Sequence, residues 1–237
     1  MPTARETLLE AAHRAVGTQP WAAVRMVDVA TAAGVSRQTL YNEFGTKEGL
    51  GAALVHRLVD GFVEGAARAA AEGGRGGSDP AGSCAAAAAW MLRTARDEPI
   101  VRAALTGCWG SRMPTPPAPA PVPASVSAPV PVSAPSAPSA APFPAAAPSP
   151  VGAAGSGARS AVAVRPVEPG PLAATLCERM MDGLPRNGSS GRLGLACETG
   201  VRLALSFVVA PPGADRSEEE AVRQIRDVVR ALLPQHR

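Results

Sequence analysis

Residues 24–50 read VRMVDVATAAGVSRQTLYNEFGTKEGL. Met26 to Ala33 predicts a short helix, followed by Gly34, the residue type that most readily takes the left-handed conformation closing a helix. Ser36 can cap a second helix running to about Phe44. Ala30 and Ala33 are small enough for the two helices to cross closely, and Val35 can plug the core beneath the turn, the pattern of a helix-turn-helix. In the second helix Leu40 and Phe44 share one face, four residues apart. Arg37, Gln38, Thr39, Tyr41 and Asn42 therefore point elsewhere. Arg and Gln can offer paired hydrogen bonds to base edges, and Thr a methyl and a hydroxyl, so this face suits reading the major groove of DNA.

Working outward, Thr3 to Val16 carries Leu8, Leu9, Ala12, Ala15 and Val16 at helical spacing, with Gly17 expected to close it. Thr46 can cap a long helix reaching about Ala71 on the stripe Leu50, Leu54, Leu58 and Phe62, with Val55, Val59 and Val63 beside it. A Gly/Arg/Ser stretch, Gly73 to Ser78, then breaks the pattern. Pro80–Ala95 and Pro99–Thr106 read as helices, since proline is tolerated in a first turn. From Pro114 to Pro150, 14 Pro, 11 Ala and 6 Ser fill 31 of 37 positions without a charge. Proline at that density removes backbone donors and blocks helix and sheet alike, so a fluctuating, polyproline-II-rich insertion is expected, with Gly152 to Gly170 its exit. Helical pattern resumes near Pro171 through Leu172, Leu176, Met180 and Leu184. Arg192 to Ala210 is apolar nearly all round and is expected to be buried on most sides. Pro211-Pro212-Gly213 stops it. The last helix opens on a Ser217/Glu220 capping box and carries Val222, Ile225, Val229 and Leu232.

Composition agrees with a helical reading. Hydrophobic residues make up 46% of the 237, yet aromatics only 3%, too few for a sandwich of aromatic and β-branched strands. The net charge of +3 is too balanced to mark a nucleic-acid coat or a membrane-surface protein. Four cysteines at 84, 108, 177 and 197 form no CxxC pair, and His13, His56 and His236 are scattered, so no metal or other cofactor is expected. The longest strongly apolar run, Leu203–Ala210, is far short of the roughly 20 residues that span a bilayer. With no apolar leader at the N-terminus, a soluble, cytoplasmic protein without a membrane partner is the expectation.

Tyr41 to Leu50 carries a more specific signal. Ala33-Gly34-Val35-Ser36, Leu40-Tyr41-x-x-Phe44 and Lys47-Glu48-x-Leu50 occur in the order found in the TetR family of bacterial transcriptional regulators, which residues 5–53 resemble closely. Arg202-Leu203-Ala204-Leu205-Ser206, leading to a Pro-Pro-Gly break and a capped last helix, is also similar. The middle of the chain matches in helical outline, and the proline-rich insertion lies outside the family's pattern. By position the resemblance implies that Arg37, Gln38 and Thr39 face bases. Tyr41 and Lys47 would hold phosphates, and Ser36 would cap the recognition helix and touch the backbone. Where the family often places a phosphate-binding Thr at the start of its second helix, this chain has Arg25.

The expected fold is all-α. Residues 1–47 form a three-helix helix-turn-helix domain, joined by a long fourth helix to a helical ligand-binding and dimerisation domain over 48–237, with a disordered Pro/Ala/Ser-rich loop at about 114–170. The expected function is a homodimeric transcriptional regulator, a ligand-responsive repressor on a palindromic double-stranded DNA operator. The last two helices would pair the subunits. Phe62, Trp90, Met91, Leu105, Trp109 and Met180 are the expected lining for an unidentified small-molecule effector. An alternative dispenses with the effector and lets a protein partner act through the proline-rich loop. An enzymatic reading finds no nucleophile elbow, phosphate loop or metal pattern. Residues 1–50 hold five basic side chains and five acidic ones, so affinity must come from placement rather than from a general positive field.

Overall fold

The chain's first regular element, α1 (Ala4–Thr18), begins at a reciprocal capping box. Thr3 Oγ1 accepts from the Glu6 amide at 3.2 Å, and Glu6 Oε2 accepts from the Thr3 amide at 2.7 Å. Gly17 does not close the helix. It keeps a negative φ, and the chain turns away at Gln19, whose amide still bonds Ala15 O at 3.0 Å. A 3-10 turn, Trp21–Ala23, leads to α2 (Met26–Ala33), α3 (Arg37–Phe44) and α4 (Lys47–Gly73). Then follow α5 (Pro80–Asp97), α6 (Pro99–Thr106), α7 (Pro169–Asp182), α8 (Ser190–Val209) and α9 (Glu218–Leu232).

The computed structural model describes residues 2–74, 79–114, 169–182, 190–211 and 217–233. All belong to one compact unit, and among them all regular structure is helical. Most of the proline-rich insertion and its expected exit, together with Leu184, lie outside the described residues. Two edges of that expectation need correction. Pro169 and Gly170 open α7 rather than ending the exit, because the first turn of a helix needs no amide from proline. Pro114 is buried rather than part of a solvated loop.

At about 1.5 Å per residue, the 27-residue α4 is a rod about 40 Å long. Its Leu50, Leu54, Val55, Val59, Phe62 and Val63 are buried, with Leu58 partly so. Near its start α4 packs on α1, and farther along on α5, α6 and α7. Helix α5 is enclosed by α4, α6, α8 and α9, and its buried Ala81, Ala85, Ala87 and Ala88 let those neighbours come close. Trp90 lies across α4 at Gly65, with its indole N–H donating to Phe62 O at 3.2 Å.

Helix α8 is not buried on most sides. Leu193, Ala196, Cys197, Val201, Ala204 and Val208 face the core, while Leu195 and Val209 are 59% and 61% exposed. A single chain covers one face of this apolar helix and leaves the other to solvent. In α9 the buried side is Ala221, Ile225 and Val229, with Val222 at its border and Leu232 exposed. Among the described residues no helix is long and apolar enough to cross a membrane.

Candidate nucleic-acid interface

The turn between α2 and α3 is built as its residues require. Gly34 has φ +70° and ψ +26°, the left-handed region that glycine takes without penalty. Its amide and that of Val35 bond back to the last turn of α2. Ser36 Oγ accepts from the Thr39 amide at 3.0 Å and caps α3. Leu40 is fully buried and Phe44 partly so, beneath a cation–π contact from Arg5, whose guanidinium sits 4.7 Å from the ring centroid. Arg5 also pairs with Glu43 at 3.7 Å, fastening α1 to the end of α3.

The opposite side of α3 is open. Ser36, Arg37, Gln38, Tyr41 and Asn42 are exposed and Thr39 is half-buried. Gln38 Nε2 donates to Asn42 Oδ1 at 3.0 Å, one turn along, and the Thr39 and Ser36 hydroxyls are 2.8 Å apart. These short-range bonds hold the polar side chains in fixed rotamers on the solvent face. No described acid pairs with Arg37, so its guanidinium fork is free for a base edge or a phosphate.

Lys47, at the first turn of α4, is held from behind. Its Nζ donates to Ala22 O at 3.0 Å and lies 5.4 Å from the Trp21 ring centroid. An ammonium has three donors, so two stay available for a phosphate. The shelf beneath it is tertiary. Trp21 N donates to Arg112 O at 2.8 Å, and a Cβ on Gly51 would meet both Pro114 and Trp21 at 2.9 Å. Trp21, Ala22, Gly51 and Pro114 were missed in the sequence. The one available signal was a tryptophan beside a proline in a chain poor in aromatics. Gly49 was missed as well: a Cβ there would lie 2.2 Å from Phe44 O, so the α3–α4 junction requires glycine.

Arg25 is differently placed. It is exposed before α2, and its guanidinium donates to both Asp28 oxygens, at 2.8 and 3.0 Å. This hydrogen bonding and the nearby carboxylate raise its pKa above the ordinary value. A phosphate at this point competes with Asp28 for the same fork.

The six residues expected to line an effector site lie within or against the core. Phe62, Met91, Leu105 and Met180 are buried in one continuous core, with Trp90 and Trp109 packed against it partly exposed. An open cleft of about 230 Å³ lies instead where α5, α6, α8 and α9 meet, among Leu92, Arg96, Arg102, Phe207 and Glu218. Arg96 and Glu218 are paired across it. Among the described residues no three His, Cys, Asp or Glu side chains gather to hold a metal ion.

Comparison with known proteins gives the same reading. Residues 8–54 match the family described as bacterial regulatory proteins, tetR family. Over 60 residues the chain is 45% identical to the HTH-type transcriptional regulator AlkX of Mycobacterium tuberculosis, covering 25% of this chain and 28% of that protein's length. The crystal structure of the TetR family repressor AlkX from Dietzia sp. strain DQ12-45-1b superposes with a TM-score of 0.52 at 21% identity, over 96% of this chain and 94% of that one. That likeness concerns the fold, whereas the likeness to the first AlkX is one of sequence. The capped α2–turn–α3 unit, the buried Leu40 and the α4 entry all lie within residues 8–54, the part of the chain that is similar to the tetR family of bacterial regulatory proteins.

Proposed function

We propose that the protein is a cytoplasmic, sequence-specific DNA-binding transcriptional regulator, acting as a homodimeric repressor on a palindromic operator and released by a small effector. The observation that carries this reading is α3, anchored by Leu40 and Phe44 on one side and presenting Arg37, Gln38, Tyr41 and Asn42, unburied, on the other. Residues 1–47 serve as the reading module. Arg37, Gln38 and Thr39 meet base edges, while Ser36, Tyr41, Asn42 and Lys47 contact the backbone or flanking bases. Arg25 takes part when a phosphate displaces Asp28.

Residues 48–237 pair the subunits and sense the effector. The exposed Leu195 and Val209 on α8 extend over more than three turns, too long a stripe to serve the chain's own core. On α9 the outward groove carries Glu220 and Asp227 alongside Arg223, charges of both signs that a two-fold axis can bring into mutual register. Two α3 helices spaced about 34 Å apart, or a whole-turn multiple of that, then select half-sites of matching separation.

The cleft at α5, α6, α8 and α9 is smaller than the roughly 300–1,000 Å³ of ordinary ligand sites. An effector lined by Phe62, Trp90, Met91, Leu105, Trp109 and Met180 must part packed helices. It thus binds the opened conformer better, which is the differential affinity a population shift needs. A coupling of about 1–3 kcal/mol per site changes operator affinity roughly 5- to 150-fold.

Selection of bound sequences from random duplex DNA by the purified protein tests the reading. The expected result is an enriched inverted repeat. Recovery of unselected sequences, or of a single half-site bound by one copy, would overturn it.

A further inference from the structure

Three of the four cysteines lie in one part of the core. Cys84 on α5 and Cys197 on α8 are buried with their Sγ atoms 3.5 Å apart, both as free thiols. Cys177 on α7 is half-buried and close enough to Cys197 for their charges to interact. Cys108, after α6, is exposed.

Helices α5 and α8 approach closely here because their facing residues are small. A Cβ built on Gly200 would lie 3.8 Å from the Cys84 Cβ, and Ala81, Ala88, Ala196 and Ala204 are all buried around the pair. Reaching a disulfide length of about 2.05 Å from 3.5 Å asks the two sulfurs to close by about 1.5 Å.

We propose that Cys84 and Cys197 are a reversible oxidation site, joined by a peroxide into a disulfide that fastens α5 to α8. Cys197 Sγ attacks the O–O bond, becomes a sulfenic acid and releases the first water. Cys84 Sγ then displaces the hydroxyl from Cys197, and the second water leaves with the Cys84 proton. Two thiols are oxidised and one hydrogen peroxide is reduced to two waters. Cys197 is the first nucleophile: once ionised, its sulfur accepts a hydrogen bond from the Cys84 S–H 3.5 Å away, which holds the Cys197 pKa down. The same bond, with burial, pushes the Cys84 thiol up. Burial also pushes the Cys177 thiol up to about 11, so at neutral pH it is a poor competitor. Neither step requires DNA or an effector.

The test uses the full chain carrying Cys108→Ser, which removes the exposed thiol without touching the core. The folded protein is treated with hydrogen peroxide, alkylated, unfolded and mapped as unreduced peptides. The expected result is one linked pair joining Cys84 to Cys197, with Cys177 alkylated. Dithiothreitol should restore both thiols, and the oxidised form should melt at a higher temperature because the cross-link restricts the unfolded chain. A Cys177–Cys197 link, separate over-oxidation of the three thiols, or linkage that appears only in urea would overturn the assignment. Mapping needs no substitution of a core thiol, so tolerance of such variants does not enter the outcome.

Discussion

Replacing Gly65 by alanine should destabilise the protein, against the usual sign for glycine inside a helix. An ideal Cβ at Gly65 lies 2.1 Å from Trp90 Cζ2, 2.3 Å from Cε2 and 2.6 Å from Nε1. Non-bonded carbons settle at about 3.5–4.0 Å, so the rigid indole must retreat by about 1.5 Å. Its 3.2 Å bond to Phe62 O breaks in doing so. Overpacking costs about 1–3 kcal/mol and the lost hydrogen bond about 1 kcal/mol, while alanine's helix preference returns about 1 kcal/mol. The net loss is about 1–3 kcal/mol. One turn earlier on the same helix, a Cβ on Gly61 meets nothing within 4 Å. Gly61→Ala should therefore stabilise by about 0.5–1 kcal/mol. Urea unfolding at one fixed protein concentration compares the two, since self-association shifts apparent stability by mass action. If both substitutions stabilise alike, the Trp90–Gly65 packing is refuted.

Other expectations concern the reading module and its first helix. Arg37→Ala should relax base preference at one defined operator position by about 1–3 kcal/mol, while Lys47→Ala should weaken all duplexes alike; competition binding with single-base operator variants separates them. The slope of log affinity against log salt, about −0.9 per neutralised phosphate, should be modest, because the Arg5–Glu43 and Arg25–Asp28 pairs neutralise part of the module's positive charge. A titration implying a dozen or more contacts per dimer would contradict this. At the start of α1, the Thr3 amide and hydroxyl hold the Glu6 carboxyl below its ordinary 4.5. A depressed carboxylate stabilises above its unfolded pKa and loses that contribution as pH falls through the folded value. Protection of the Thr3 amide, taken relative to its intrinsic exchange rate at each pH, should therefore fall as the solution is acidified below about pH 4.5, and Glu6→Gln should flatten that profile.

Local signals carried far in this chain. Gly34 and Ser36 place the α2–α3 turn to the residue, and Thr46, Pro99 and the Ser217/Glu220 box mark the starts of α4, α6 and α9. Each works through backbone conformation or a hydrogen bond within four residues, so it can be read in one dimension. The exposed face of α3 follows from the same logic, since Leu40 and Phe44 leave one side of a short helix for solvent. Gly17 misled because glycine permits a helix end without compelling one. Burial of α8 on most sides was overestimated because hydropathy counts the apolar residues of a helix and not the neighbours that cover them.

Spacing and residue type were enough for the helices of the described residues, and for a short helix at Arg37–Phe44 with one polar face open, because helix periodicity and caps are short-range properties. Three-dimensional packing alone put Trp21, Ala22 and Pro114 behind Lys47, closed the proposed effector residues into a packed core, and brought Cys84 within 3.5 Å of Cys197. Those pairs are joined by side-chain volumes meeting across 25 to 113 positions of sequence, and no local pattern encodes which distant surface a side chain will meet.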